Sequence, residues 1–128
     1  PNSILPLNPA GREPAGFKAY PAMTPADVVK RELDGGARLA FLDARPTSDY
    51  LVEHIAGAVS MPFYDQNPPF SALPKDTWLV CYCGCPHAES GRLAESLLKA
   101  GFERVTVLDE GLRYWKDKNY GVRKGREP

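Results

Sequence analysis

The sequence predicts an α/β fold, with a central parallel β-sheet of about five strands and helices on both faces. Three observations carry that expectation. Short apolar runs at 38–43, 77–82 and 104–108 alternate with segments of helical periodicity, the pattern of βαβ units joined by right-handed crossovers. The runs show little polar alternation, as strands covered on both faces do. Asp43, Cys83 and Asp109 lie at or just beyond the ends of these runs, and in such sheets ligands bind beyond the carboxyl ends of the strands.

The elements follow in order. Residues 1–16 hold Pro6, Pro9, Pro14, Gly11 and Gly16 and read as an extended leader or linker to an upstream domain. Residues 17–20 read as a short edge strand stopped by Pro21. Thr24 followed by Pro25 reads as an N-cap and first-turn proline. The helix 25–33 turns Val28, Val29 and Leu33 inward, and Gly35-Gly36 ends it. The strand 38–43 ends in Asp43. A short helix, 47–53, takes Thr47 or Ser48 as its cap. A second short strand, 58–61, is stopped by Pro62. Residues 62–76 contain four prolines and form an irregular connection pinned by Phe63, Tyr64, Phe70 and Leu73. The strand 77–82 leads into a helix at 90–100, with Leu93, Leu97 and Leu98 on one face and Gly101 as its stop. The strand 104–108, a turn at Glu110-Gly111 and a helix at 112–118 complete the domain, which spans 17–122. A basic tail, 123–128, follows.

Composition bounds the function. The chain has 128 residues and 16 basic against 16 acidic side chains. That is one domain with one modest core, and nothing global points to nucleic acid or membrane as a partner. No apolar run approaches the roughly 20 residues that cross a bilayer. The chain begins at Pro1, so it is expected to be a processed or recombinant product whose targeting segment, if any, lies outside it. The compartment, cytoplasmic or periplasmic, stays open. The cysteines are Cys81, Cys83 and Cys85, an odd and clustered set that is no disulfide framework. Cys81, inside the apolar run, reads as a small buried hydrophobe.

Cys83 carries the chemistry. A cysteine at the carboxyl end of a strand, facing the start of the next helix, is placed for nucleophilic work, since loop amides and the helix dipole favour a thiolate. The amides of residues 84–89 can form a cradle for the thiolate or for an anion, and Arg92 stands close by. The candidate binding residues are therefore Gly84, Cys85, Pro86, His87, Ala88, Glu89, Ser90 and Arg92. Gly84 suits a tight turn beside the nucleophile. Glu89 and Ser90 suit the helix start without any chemistry. His87 either orients a donor or is solvated. Cys85 either resolves an oxidised or persulfidated Cys83 or is an idle thiol. Three soft ligands packed into 83–87 cannot readily be tetrahedral, so no metal site is expected.

Four pieces then resemble the rhodanese family, over about 17–122 and in the family's order. They are Phe41-Leu42-Asp43-Ala44-Arg45 with Asp49-Tyr50, His54-Ile55-Ala56-Gly57-Ala58 and Met61-Pro62; Tyr82-Cys83; Gly101-Phe102 with the strand after it; and Glu110-Gly111-Leu112 with Trp115, Tyr120 and Val122. The resemblance implies a single rhodanese-like domain. It implies that Cys83 takes sulfane sulfur from thiosulfate or a persulfide and passes it to a thiol or cyanide, with no cofactor. It also implies that Asp43, Arg45, His54 and Gly57 are scaffold. The loop is slightly longer than the family's ordinary one if Cys83 is the nucleophile, and slightly shorter if Cys85 is. In phosphatase and arsenate-reductase relatives an arginine closes the loop to clamp an oxyanion. Counted from Cys83, that slot holds Glu89, which disfavours a dianion and points to a small-molecule or protein persulfide as donor. The alternative to a sulfurtransferase is a non-catalytic module for protein interaction or regulation.

Overall fold

The computed structural model describes residues 4–84 and 87–128. The elements are β1 (Met23–Thr24), α1 (Ala26–Asp34), β2 (Leu39–Asp43), α2 (Thr47–Val52), β3 (His54–Ile55), β4 (Val59–Ser60), a 3-10 turn (Phe70–Ala72), β5 (Trp78–Tyr82), α3 (Ala88–Lys99), β6 (Val105–Leu108), α4 (Gly111–Asp117) and β7 (Val122–Arg123). Five strands make a parallel sheet in the order β1-β6-β5-β2-β4. The central strand is β5, in register with β2 from Leu39 opposite Trp78 to Asp43 opposite Tyr82.

Side chains alternate across each strand, and here both faces are buried. Ala40, Leu42, Leu79, Cys81, Val105 and Val107 face α3, where Leu93, Ala94 and Leu97 cover them. Leu39, Phe41, Val80, Tyr82 and Leu108 face the opposite layer, covered by Ala26 and Val29 of α1, Tyr50 of α2 and Leu112 and Trp115 of α4. That two-sided burial explains why these strands read as unbroken apolar runs. No described helix is long and apolar enough to cross a membrane.

The scaffold residues of the first motif make one network. Asp43 and Arg45 form a two-pronged pair, with Nε to Oδ1 at 3.0 Å and Nη2 to Oδ2 at 2.8 Å. The Tyr82 hydroxyl donates to Asp43 Oδ2 at 2.8 Å and accepts the Ile55 amide at 3.0 Å. His54 is buried and stacks on Tyr50, with one ring nitrogen 2.9 Å from the Tyr50 carbonyl and the other 2.7 Å from that of Glu127. Gly57 has φ +91°, and the Leu7 side chain packs where its Cβ would stand.

Several local expectations are corrected. Residues 17–20 are not a strand: the edge strand is β1, and Tyr20 contributes one amide bond to the Val105 carbonyl. Thr24 does not cap α1, because its hydroxyl is spent on Thr106 Oγ1 at 2.7 Å and on the Lys18 amide. The acceptor for the Ala26 amide is instead Glu110 Oε1 at 2.7 Å, from the turn after β6, the strand beside β1. Neither Thr47 nor Ser48 caps α2; both lie inside it or at its first turn, after Pro46. Tyr64 is exposed and meets only the edge of Phe63, and Leu98 is exposed rather than on the buried face of α3. Of the three residues expected inward on α1, Val29 is fully buried and Leu33 packs half-buried against the same layer, while Val28 is only half-buried. A two-stranded antiparallel sheet of β3 with β7 was not foreseen.

The ends are also docked, where the sequence suggests a linker and a free tail. Leu7 pairs with Leu39, and Arg12 pairs with Ala37. Arg12 bonds Glu32 at 2.6 Å. At the other end, β7 carries Arg123, and the Gly125 amide bonds the Leu51 carbonyl. Proline and glycine in the leader remove helix and strand potential, yet single apolar side chains, two backbone bridges and two ion pairs, Arg12 with Glu32 and Glu13 with Arg104, dock it.

The hydrogen bond from Arg12 holds the Glu32 carboxyl below its ordinary value of 4.5. A carboxyl depressed on folding stabilises the docked arm fully above that ordinary value, and the contribution is lost as pH falls through the lower folded value. Below pH 4.5, exchange at the Arg38 amide, which bonds the Arg12 carbonyl, is expected to speed up relative to β5. The gain should reach about fivefold, the range of a part-exposed ion pair. Hydrogen exchange of Glu32→Gln should show the faster rate at every pH.

Candidate active site

The carboxyl edge of the sheet brings the end of β5, the start of α3 and the turn between β6 and α4 together. Tyr82 closes β5 with its ring anchored by Asp43, so the next residue, Cys83, leaves the sheet at a fixed point. Cys83 is 3% exposed. Its Sγ lies 3.2 Å from Ser90 Oγ, with the thiol donating. Ser90 is itself buried, sits in the first turn of α3 and donates to the His87 carbonyl at 3.2 Å. The α3 ladder starts with the Gly91 amide on the His87 carbonyl, so the amides of residues 88–90 precede it and their dipoles favour negative charge nearby.

The turn at 109–111 closes on this loop. The Leu112 amide bonds the Cys83 carbonyl at 2.9 Å. Gly111 has φ +76°, and a Cβ there would fall 2.2 Å from the Gly84 carbonyl oxygen and 2.8 Å from that of Cys83. Only glycine lets α4 begin so close to the loop backbone. His87 Nε2 donates to the Asp109 carbonyl and lies 3.3 Å from its carboxylate Oδ1. Since both are acceptors, Nε2 carries the proton. His87 thus links the start of α3 to the end of β6, with its side chain still 43% exposed.

The other sequence candidates fall differently. Arg92 holds its guanidinium over the Phe63 ring, 5.3 Å from its centroid. Ala88 is exposed and Glu89 half-buried on the first turn of α3. Cys85 and Pro86 lie outside the described residues, and with them the expected resolving thiol and the middle of the 84–89 amide cradle. Gly84 is not held in a left-handed conformation, and a Cβ there would meet no described atom within 4 Å. The chain bends at Gly84, and the space a side chain would fill there is open among the described residues. Burial pushes the Cys81 thiol up, and nearby Cys83 adds to this, so Cys81 is an inert core group. Among the described residues no three His, Cys, Asp or Glu side chains gather as metal ligands.

Sequence reasoning missed the groove that starts at Gly84. It encloses about 680 Å³ and runs along α4 past Glu110, Arg113, Lys116 and Asp117 to Glu53. Its signal was present only in topology: a helix that follows β6 must begin at the same sheet edge as the one that follows β5.

A rhodanese-like domain model matches residues 25–118. MoeZ of Mycobacterium tuberculosis, a probable adenylyltransferase/sulfurtransferase, is 32% identical over 85 residues, 65% of this chain and 21% of MoeZ. YrkF of Bacillus subtilis, a putative sulfur carrier protein, is 27% identical over 94 residues, 72% of this chain and 49% of YrkF. The chain therefore spans about half or less of these curated relatives. The solution structure of the rhodanese-like domain of the Anabaena protein Alr3790 superposes with a TM-score of 0.68 at 32% identity, covering 80% of this chain and 78% of that one.

Gly111→Ala should test how the loop is held. A left-handed alanine and its collision with two backbone oxygens are expected to cost about 2–4 kcal/mol, read as a lower urea midpoint. The same variant should alter the rate at which Cys83 is alkylated, whereas Gly125→Ala, at a glycine of φ +91° with no atom near its Cβ, should leave that rate unchanged.

Proposed function

The chain belongs to the rhodanese-like domain family, and on that premise we propose that it is a sulfurtransferase working through a persulfide on Cys83. The observation that carries the reading is the position of Cys83, directly after the central strand and bonded to Ser90 in the first turn of α3. The sulfurtransferase and sulfur-carrier descriptions of MoeZ and YrkF support it.

The Cys83 thiolate attacks the sulfane sulfur of the donor. With a persulfide R–S–SH, the new bond joins Sγ to the outer sulfur, the donor's S–S bond breaks, and R–S⁻ leaves. With thiosulfate, sulfite leaves. An acceptor thiolate then attacks the outer sulfur and releases Cys83 as thiolate. Ser90 suits both states of Sγ, because a hydroxyl rotates: it accepts from the thiol and donates to the thiolate or the persulfide anion. The amides at the start of α3 add to that stabilisation. No metal or organic cofactor enters these steps.

A second reading, a non-catalytic interaction module, draws on the 3% exposure of Cys83. Phosphatase or arsenate-reductase chemistry is the weakest reading, since Glu89 stands where an oxyanion clamp would need a cation.

Two experiments test the proposal. Reduced protein is incubated with thiosulfate, and separately with glutathione persulfide, and its intact mass recorded. A gain of one sulfur atom, mapped to Cys83, reversed by cyanide and absent in Cys83→Ser, is expected; no gain from either donor favours the interaction module. In Ser90→Ala the loss of a hydrogen bond to a charged sulfur should slow Cys83 alkylation at neutral pH about tenfold. A purely structural role for Ser90 would lower stability without slowing alkylation of the folded protein.

A further inference from the structure

We propose that His54 is a pH-sensitive fastener for the segment 124–127: its doubly protonated ring holds that segment against α2, and loss of one ring proton lets it go. This fastening is independent of the sulfurtransferase reading.

His54 is fully buried at the start of β3. Its Nδ1 lies 2.9 Å from the Tyr50 carbonyl oxygen, and its Nε2 lies 2.7 Å from that of Glu127. A backbone carbonyl only accepts, and a neutral imidazole has a single N–H. Either neutral tautomer therefore satisfies one carbonyl and turns a lone pair on the other. Only the imidazolium donates to both. The Tyr50 ring lies flat on the imidazole, with centroids 3.8 Å apart and planes at 3°, and an aromatic face is favourable to a cation.

The two acceptors differ in freedom. The Tyr50 carbonyl belongs to α2, whereas the Glu127 carbonyl belongs to a segment held by little else. Up to Arg123 the chain is fixed: the Gly121 carbonyl accepts from Trp115 Nε1 and from the Ala56 amide, and β7 pairs with β3, with Arg123 opposite His54. Beyond Arg123, the hydrogen bonds that tie 124–127 to the rest of the domain, among the described residues, are the Gly125 amide on the Leu51 carbonyl at 2.8 Å and the His54 contact. Lys124, Arg126 and Glu127 are exposed, so burial of apolar surface adds little. One hydrogen bond weighs heavily in such a balance, and the segment is the part that can move.

The charges around the ring leave no strong field to override this. Asp43 pairs with Arg45 on the β2 side, Glu53 with Lys116, and Arg113 with Asp117 on α4. Asp49 lies on α2, and the segment and β7 bring Arg123, Lys124, Arg126 and Glu127. Burial raises the Tyr50 hydroxyl above its ordinary value, and the charges of Asp43 and Glu127 add to this, which places both carboxylates near the stacked rings. What distinguishes the docked from the released state is the second acceptor. Docking takes up a proton to use it, so docking strengthens as pH falls and weakens as pH rises. Histidine is the side chain suited to do this between roughly pH 5 and 8.

The intact protein is followed across that window by two measurements. Nitrogen NMR of the His54 ring is expected to show two protonated nitrogens at the acid end and one at the alkaline end. Exchange of the Gly125 amide is taken as a ratio to the amides of β5, so that the intrinsic pH dependence cancels. That ratio should rise about tenfold from the acid to the alkaline end, the scale of one hydrogen bond to a charged group. In His54→Gln, whose amide donates at every pH, the ratio should be flat. A flat or falling ratio in the unsubstituted protein overturns the proposal, as does a ring that keeps the same number of protons throughout. A rise that survives in His54→Gln assigns the switch to another group and overturns it too. If that variant does not fold, the two measurements on the unsubstituted protein decide. Sulfur loading of Cys83 enters neither readout, so failure of the sulfurtransferase reading leaves this result standing.

Discussion

The Asp43 carboxylate is the constraint on which the rest of the site depends. Its side chain is fully buried, and it survives there because three groups reach it: the Arg45 fork, the Arg45 amide and the Tyr82 hydroxyl. Burial alone would pull the Arg45 guanidinium down, yet hydrogen bonds and charge from Asp43 hold it above its ordinary value. Tyr82 is driven well above its ordinary value by burial and then by the Asp43 charge, so it stays a neutral donor. Losing any one partner would leave a buried charge or donor unpaired, at a cost of several kcal/mol. Arg45 also holds the Glu53 carbonyl, and Tyr82 holds the Ile55 amide. One carboxylate therefore ties β2, β5 and the start of β3 together, at the point where β5 gives way to Cys83.

The turn at 109–111 is the complementary constraint on the other side of the loop. Each of its residues reaches a different element. Asp109 holds His87 at the start of α3, Glu110 caps α1, and Gly111 admits the loop carbonyls to within a distance no side chain permits. The loop is thus fixed at both ends by residues remote in sequence, Asp43 before Cys83 and Asp109 after Gly84. A helix N-terminus stabilises a thiolate only if the sulfur is kept near it, and these two anchors keep it there.

Much of this was legible in the sequence because the physics behind it is local. β2, β5 and β6 are apolar runs, and the sheet buries both of their faces, so the pattern and the strands coincide. Gly101, at φ +97°, ends α3 as a glycine beyond a helix should. Several of the errors share a cause, competition from distant partners. Thr24 has the composition of a cap, but Thr106 takes its hydroxyl. His87 looks like a loop histidine until β6 brings Asp109 to it. The strands β3 and β7 are two residues each, too short for any alternation to register. The groove along α4 is assembled by helical residues that read as an ordinary solvated face, and only the crossover rule places them beside Cys83.

Burial of the nucleophile and the charge of its surroundings point to the same division of labour. A fully exposed thiol would react with any electrophile that diffused to it, whereas a sulfur with 3% exposure is shielded from such encounters. Ser90 accommodates thiol, thiolate and persulfide anion without movement of the backbone, since only a hydroxyl hydrogen must turn. Stabilisation of the sulfur anion is therefore supplied by rigid parts, the first turn of α3 and the anchored end of β5. Under the proposed sulfur chemistry, the groups that hold Cys83 belong to the end of β5, the first turn of α3 and the turn after β6, while the surface of α4 varies independently of them.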